Sequence, residues 1–123
     1  MPATPAVLSA EQLRELDCRG LPASRLQPEQ AQAQVRALPR WRLHEGAIER
    51  DYGFADFHQT MAFVNAVAWV AHGADHHPDL QLGYRHCLAR LSTHSVGGLT
   101  LKDFACAARF DALYAQQPGD DKA

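Results

Sequence analysis

Three histidines hold the chemistry of this chain. His76 and His77 follow Asp75 and precede Pro78. His94 follows Thr93 and runs into Ser95, Val96, Gly97-Gly98, Leu99, Thr100 and, three residues on, Asp103. Imidazole is the side chain whose ordinary pKa lies nearest neutrality, so such a cluster with carboxylates on either side points to proton transfer or to metal binding. The metal reading has one foothold. His72 and His76 are four apart, which puts both on one helix face, and His94 or Asp103 could add ligands. Against it, no glutamate follows the first histidine as in metalloprotease motifs, and Gly73 lies between the pair. Proton transfer is the better reading, and no metal is expected.

The elements around the cluster give it a shape. His76 and His77 fall just past the end of a long helix, where unpaired carbonyls favour imidazolium. Asp75 can do the same, or orient a ring by accepting its N–H. Pro78 forces His77 into extended backbone, so the two rings leave a helix-to-strand corner in different directions. His94 precedes a Gly-Gly loop that lets backbone approach a ligand closely. If its strand runs back beside that corner, His94 completes a three-imidazole pocket. Asp103 is explained by helix capping at least as well as by contact with a ligand. His44, His58 and His86 lack companions and are expected in solvent, whereas Tyr84, Trp41 and Trp69 read as core.

Along the chain, Ser9 with Gln12 forms a capping box, flanked by Leu8 and Leu13 as a hydrophobic staple, and starts a short helix over about 10–17. Pro28 opens a second helix, with Ala31, Val35 and Leu38 on one stripe, ending before Pro39. From Trp41 the period becomes two: Trp41 and Leu43, then Ile48, Tyr52 and Phe54, with Glu45-Gly46 as the turn of a hairpin. Asp56 and Gln59 start a helix over about 56–73. Its stripe is Phe57, Met61, Val64, Ala68 and Ala71, widened by Phe63, Val67 and Val70, and Gly73 with His77-Pro78 ends it. Leu80, Leu82 and Tyr84 alternate, then Cys87, Ala89, Leu91 and Thr93 alternate out of phase, which implies a bulge or a break near Arg85. Thr100 and Asp103 start a last helix to about Ala115 with apolar residues on two faces, the second available to another subunit. Residues 1–7 and 116–123 read as frayed or polar ends. The order predicts an α+β two-layer sandwich, an antiparallel sheet of about four strands in a ββαββα core with helices on one face, plus an N-terminal helical segment. In domain terms this is an extension over 1–37, one globular unit over 38–115 and a tail over 116–123.

Composition sets the bounds. A chain of 123 residues holds a single core. A net charge of −2 with scattered arginines argues against a nucleic-acid surface. Cys18, Cys87 and Cys106 are far apart and form no C-x-x-C, which fits reduced thiols in a cytoplasmic protein. Neither a secretory signal nor an apolar run long enough for a membrane span is expected.

Taken together, these residues resemble the pterin-4a-carbinolamine dehydratases, a family also described as dimerisation cofactors of a homeodomain transcription factor. The likeness runs over about 38–113. It rests on Leu38-Pro39-Arg40-Trp41, Phe54-Ala55-Asp56-Phe57, Met61-Ala62-Phe63-Val64-Asn65, Asp75-His76-His77-Pro78-Asp79-Leu80, Tyr84, Leu91 through Thr100, Asp103 and Ala107-Ala108. The segment around Cys18-Arg19-Gly20 looks like that of bacterial members. The resemblance implies conversion of a 4a-hydroxytetrahydropterin into quinonoid dihydropterin and water, with no metal or organic cofactor. It implies catalytic roles for His76, His77 and His94, the first and third in proton transfer and His77 in holding the pterin. Asp75, Pro78, Thr93, Ser95 and Val96, with His72 and Asp103, would contact substrate. A homodimer or homotetramer is also implied. Two positions depart from the family: His72 stands where a glutamate is common, and Leu80 where some animal members carry an aromatic. A second reading of the same likeness is a family member with little dehydratase activity that binds a partner protein or serves molybdopterin metabolism.

Overall fold

A computed structural model describes residues 7–116. Helices α1 (Ala10–Arg14) and α2 (Pro28–Val35) precede the hairpin β1 (Arg42–His44) and β2 (Ala47–Gly53). Helix α3 (Phe57–Ala74), strands β3 (Asp79–Leu82) and β4 (His86–Leu91) and helix α4 (Leu101–Ala115) follow. The strands form one antiparallel sheet in the order β1-β2-β4-β3. The fold is therefore the α+β sandwich expected from the sequence. No helix among the described residues is long and apolar enough to cross a membrane.

Local chemistry accounts for the element boundaries. Ser9 and Gln12 cap α1 reciprocally, Asp56 caps α3 through the Gln59 N–H, and Thr100 with Asp103 boxes the start of α4. Glu45 and Gly46 both take positive φ, 49° and 77°, the conformation that lets a two-residue turn follow the twist of β1 and β2. The phase change after Leu82 is a break rather than a bulge. Gly83 N–H donates to the His86 carbonyl and closes the β3–β4 hairpin. Helix α1 is shorter than the expected 10–17, because the Glu15 and Leu16 N–H groups bond three residues back and unwind it.

The sheet face carrying Ile48, Tyr52, Cys87, Ala89 and Leu91 is buried, and α3 packs on β4 and on α4. The opposite face presents Arg42, Asp51, His86 and Arg90 to solvent or half-buried. Three expectations about packing are overturned. The buried stripe of α3 is Thr60, Phe63, Val67, Ala71 and Ala74, while Phe57 and Ala68 are exposed. Thr60 can lie inside because its hydroxyl is bonded to the Asp56 and Tyr84 carbonyls. Trp69 (79% exposed) and Tyr84 (65%) lie outside the core, in contrast to Trp41 at 4%. The second apolar face of α4 meets the chain's own N-terminal segment: α1 packs on α4, and Arg109 donates to the Arg14 and Leu16 carbonyls. One hydrophobic cluster joins Leu13, Cys18 and Ala31 to Phe63, Phe104 and Phe110.

Candidate active site

Helix α3 runs through Gly73 and stops at Asp75, which takes the left-handed conformation (φ 54°) usually left to glycine. The Asp75 N–H bonds the His72 carbonyl at 3.2 Å and the His76 N–H bonds the Ala71 carbonyl at 3.1 Å. This two-bond closure fixes the direction in which His76 and His77 leave the helix, and Pro78 then leads into β3.

The ring of His76 points to the start of α4. Its Nε2 lies 2.5 Å from Oδ1 of Asp103, a carboxylate with no solvent exposure. The other oxygen, Oδ2, accepts the Thr93 hydroxyl at 2.8 Å and the Thr100 N–H at 3.0 Å, and the two threonine hydroxyls meet at 2.9 Å. One carboxylate therefore caps α4, anchors the residue before His94 and receives His76. Buried and bonded on both oxygens, Asp103 ties the ring of His76 to the start of α4. His94 opens a single 3₁₀ turn, His94–Val96, closed by Gly97 at φ 63° and by the Thr93 N–H on the Gly98 carbonyl at 2.7 Å.

A cavity of about 270 Å³ lies at this junction, lined by Ala23, Asp75, His76, His77, Ser92, Thr93, His94, Ser95 and Lys102. Of the expected site residues, the fold brings Asp75, His76, His77, Thr93, His94 and Ser95 to its wall. Asp103 sits behind His76. Pro78 and Val96 are half-buried beside it, and the exposed His72 does not line it. Ala23, Ser92 and Lys102 were not anticipated. Lys102 had a readable signal, since it is adjacent to Asp103 in the first turn of α4. Ala23 had none, because it arrives from the loop between α1 and α2. Among the described residues, no three His, Cys, Asp or Glu side chains gather as a metal site would need. A second cavity of similar volume includes Arg25, Leu43, Gly98 and a His44–Glu45 pair, but that pair is 3.4 Å apart and more than half exposed.

Comparison with known proteins places the chain in a family. Residues 24–113 match the family described as pterin 4 alpha carbinolamine dehydratase, and the chain belongs to that family. A protein of Nitrosomonas eutropha, provisionally named a pterin-4-alpha-carbinolamine dehydratase, is 47% identical over 89 residues, covering 72% of this chain and 79% of its own. One of Stenotrophomonas maltophilia with the same provisional name is 53% identical over 83 residues, covering 66% and 72%. The crystal structure of a transcriptional coactivator/pterin dehydratase from Brucella melitensis superposes with a TM-score of 0.72 at 31% identity, over 74% of this chain and 99% of that one. A pterin dehydratase-like RuBisCO assembly factor of the alpha-carboxysome shares the fold, with a TM-score of 0.53 at 24% identity, over 63% of this chain and 90% of that one.

Proposed function

We propose that this chain dehydrates a 4a-hydroxytetrahydropterin to the quinonoid dihydropterin, using His76 and His94 for proton transfer and His77 to hold the ring. The observation that carries the reading is a cavity walled by three imidazoles, one of them tied to a buried carboxylate. The reaction breaks the C4a–O bond, sends the oxygen out as water, and forms a carbon–nitrogen double bond as a ring nitrogen loses its proton. It needs one group that donates a proton to the leaving oxygen and one that accepts from nitrogen. Positioned imidazoles typically contribute ~10²–10⁴-fold in such steps. His76, whose ring is held by Asp103, is suited to one of these transfers, and His94, which lines the same cavity, to the other. Lys102 and the hydroxyls of Ser92, Thr93 and Ser95 offer donors for the polar edge of a pterin. The cavity is at the small end of the ~300–1,000 Å³ typical of ligand sites, a size suited to one bicyclic ring. Tetrahydrobiopterin-type carbinolamine is the substrate we favour, acted on in the cytoplasm by a homodimer or homotetramer.

The deciding experiment is the rate of carbinolamine decay with and without purified protein. Acceleration by the wild type and none by His76→Ala/His94→Ala is the expected result. Normal dehydration by the double variant would remove the histidine assignment. A second reading, a partner-binding family member of low activity, draws on the pterin dehydratase-like assembly factor that shares the fold. Absence of any acceleration by the wild type would favour it.

A further inference from the structure

The end of α3 is held from a distant part of the chain. Arg19, in the 3₁₀ turn Cys18–Gly20, donates from Nε to the Gly73 carbonyl at 2.8 Å and from a terminal nitrogen to the His72 carbonyl at 3.0 Å. These are carbonyls of the last turn of α3, which has no helical N–H ahead to satisfy it. The Asp75 N–H also uses the His72 carbonyl, whereas the Gly73 carbonyl accepts from Arg19. The planar guanidinium grips two neighbouring carbonyls at once, which fixes their relative orientation as a single ammonium would not. Neighbouring groups fix Arg19 in turn. Cys18 is buried in the core cluster beside Cys106 of α4, and Arg109 holds the Leu16 carbonyl at 2.5 Å.

We propose that Arg19 is a positioning residue for the dehydration: by clamping the His72 and Gly73 carbonyls it sets the angle at which Asp75, His76 and His77 enter the cavity. The proposal rests on the function argued above, and it gives a part in catalysis to a segment that contributes only Ala23 to the cavity wall. Its bonds lie in solvent, where hydrogen bonds and charges add little to global stability. Their effect is expected on geometry, where small misplacements of a catalytic group are costly.

Arg19→Ala should therefore unfold at a urea midpoint close to wild type and lose about fivefold to twentyfold in kcat, with KM changing less. Millimolar methylguanidinium should restore part of the loss. Arg19→Lys, with the stem and charge but not the fork, should fall between the two. If Arg19→Ala proves poorly folded, Arg19→Lys alone carries the test. Nitrogen-15 spectra of the histidine rings should show the His76 and His77 signals displaced in the variants while His58 stays in place. Wild-type kcat together with unmoved His76 and His77 signals would overturn the proposal. A wild-type protein with no dehydratase activity would instead overturn the function, and the ring spectra would still decide whether Arg19 sets the corner.

Discussion

His76, just past the end of α3, and Asp103, in the first turn of α4, meet ring to carboxylate at 2.5 Å in a place where the carboxylate has no access to solvent. The contact makes α4 part of the histidine corner, so the orientation of His76 depends on the capping of a helix that begins 25 residues later in the chain.

Asp103→Asn separates the two duties of that carboxylate. The amide can still receive the Thr100 N–H, but it removes the charge that supports a protonated His76 and allows the other ring tautomer. The expected outcome is a fall in kcat on the order of 10²-fold or more, with a stability loss of about 1–2 kcal/mol from the weakened cap. Steady-state kinetics with a parallel urea titration checks both. An unchanged kcat would show that the pair is structural only.

Acid stability should report Glu49. Burial alone would push this carboxyl up, but the Arg90 and Arg42 guanidinium groups outweigh it and hold it below the ordinary carboxylate value. The unfolded chain then takes up a proton first, so the stabilisation is complete above the ordinary glutamate range and disappears as pH falls through the lower folded value. Wild type and Glu49→Gln should differ most in urea midpoint near pH 7 and converge towards about pH 3. A pH-independent difference would refute the linkage.

The thiols test the seating of the N-terminal segment. The Cys106 hydrogen bond, against burial and with help from Arg109, His76 and Lys102, draws Cys18 below the ordinary thiol value. Burial pushes Cys87 up to about 11, and the bond with Cys18, with burial, pushes Cys106 up as well. A thiol as acidic as Cys18 would react quickly if it could be reached, yet all three are buried. A disulfide reagent should therefore modify none of them in the native protein and all of them in denaturant. Rapid labelling of Cys18 or Cys106 under native conditions would mean that residues 16–20 lift from α4.

Two tryptophans should behave as opposites. Trp41 is buried and donates to Asp111 at 3.0 Å, while Trp69 stands in solvent. Acrylamide should quench Trp69 and spare Trp41. Trp69→Phe should shift stability by no more than about 0.5 kcal/mol, against about 3–5 kcal/mol for Trp41→Ala. If the protein forms the proposed homo-oligomer through the outer side of α3, Trp69 emission will move to the blue with concentration, in step with the mass from light scattering.

Caps, the Glu45-Gly46 hairpin and the strand break at Gly83–Arg85 were legible because each is written in a few neighbouring residues. What the sequence hid was decided by distant partners. Helix α3 is apolar nearly all round, so its inner face was set by what lay opposite, and a hydroxyl-bonded Thr60 displaced Phe57 from the core. Gln34 is buried because its amide answers both the N–H and the carbonyl of Leu8, which no local pattern announces. The second face of α4 was readable as a contact but not as a contact with α1. At the site, the three histidines and their cavity followed from spacing and turn chemistry. The Asp103 bond to His76 and the arrival of Ala23 depended on how α4 and the N-terminal loop dock.

The placement of Asp103 also bears on how the protein is made. Synthesis delivers residues 7–35 before the rest of the described fold, yet α1 packs on α4, which is made after every strand of the sheet. Until α4 leaves the ribosome, the Cys18 segment has no seat and His76 has no carboxylate. Folding of this domain is thus expected to complete only once α4 has been made, and the nascent intermediate carries its apolar N-terminal face exposed until then.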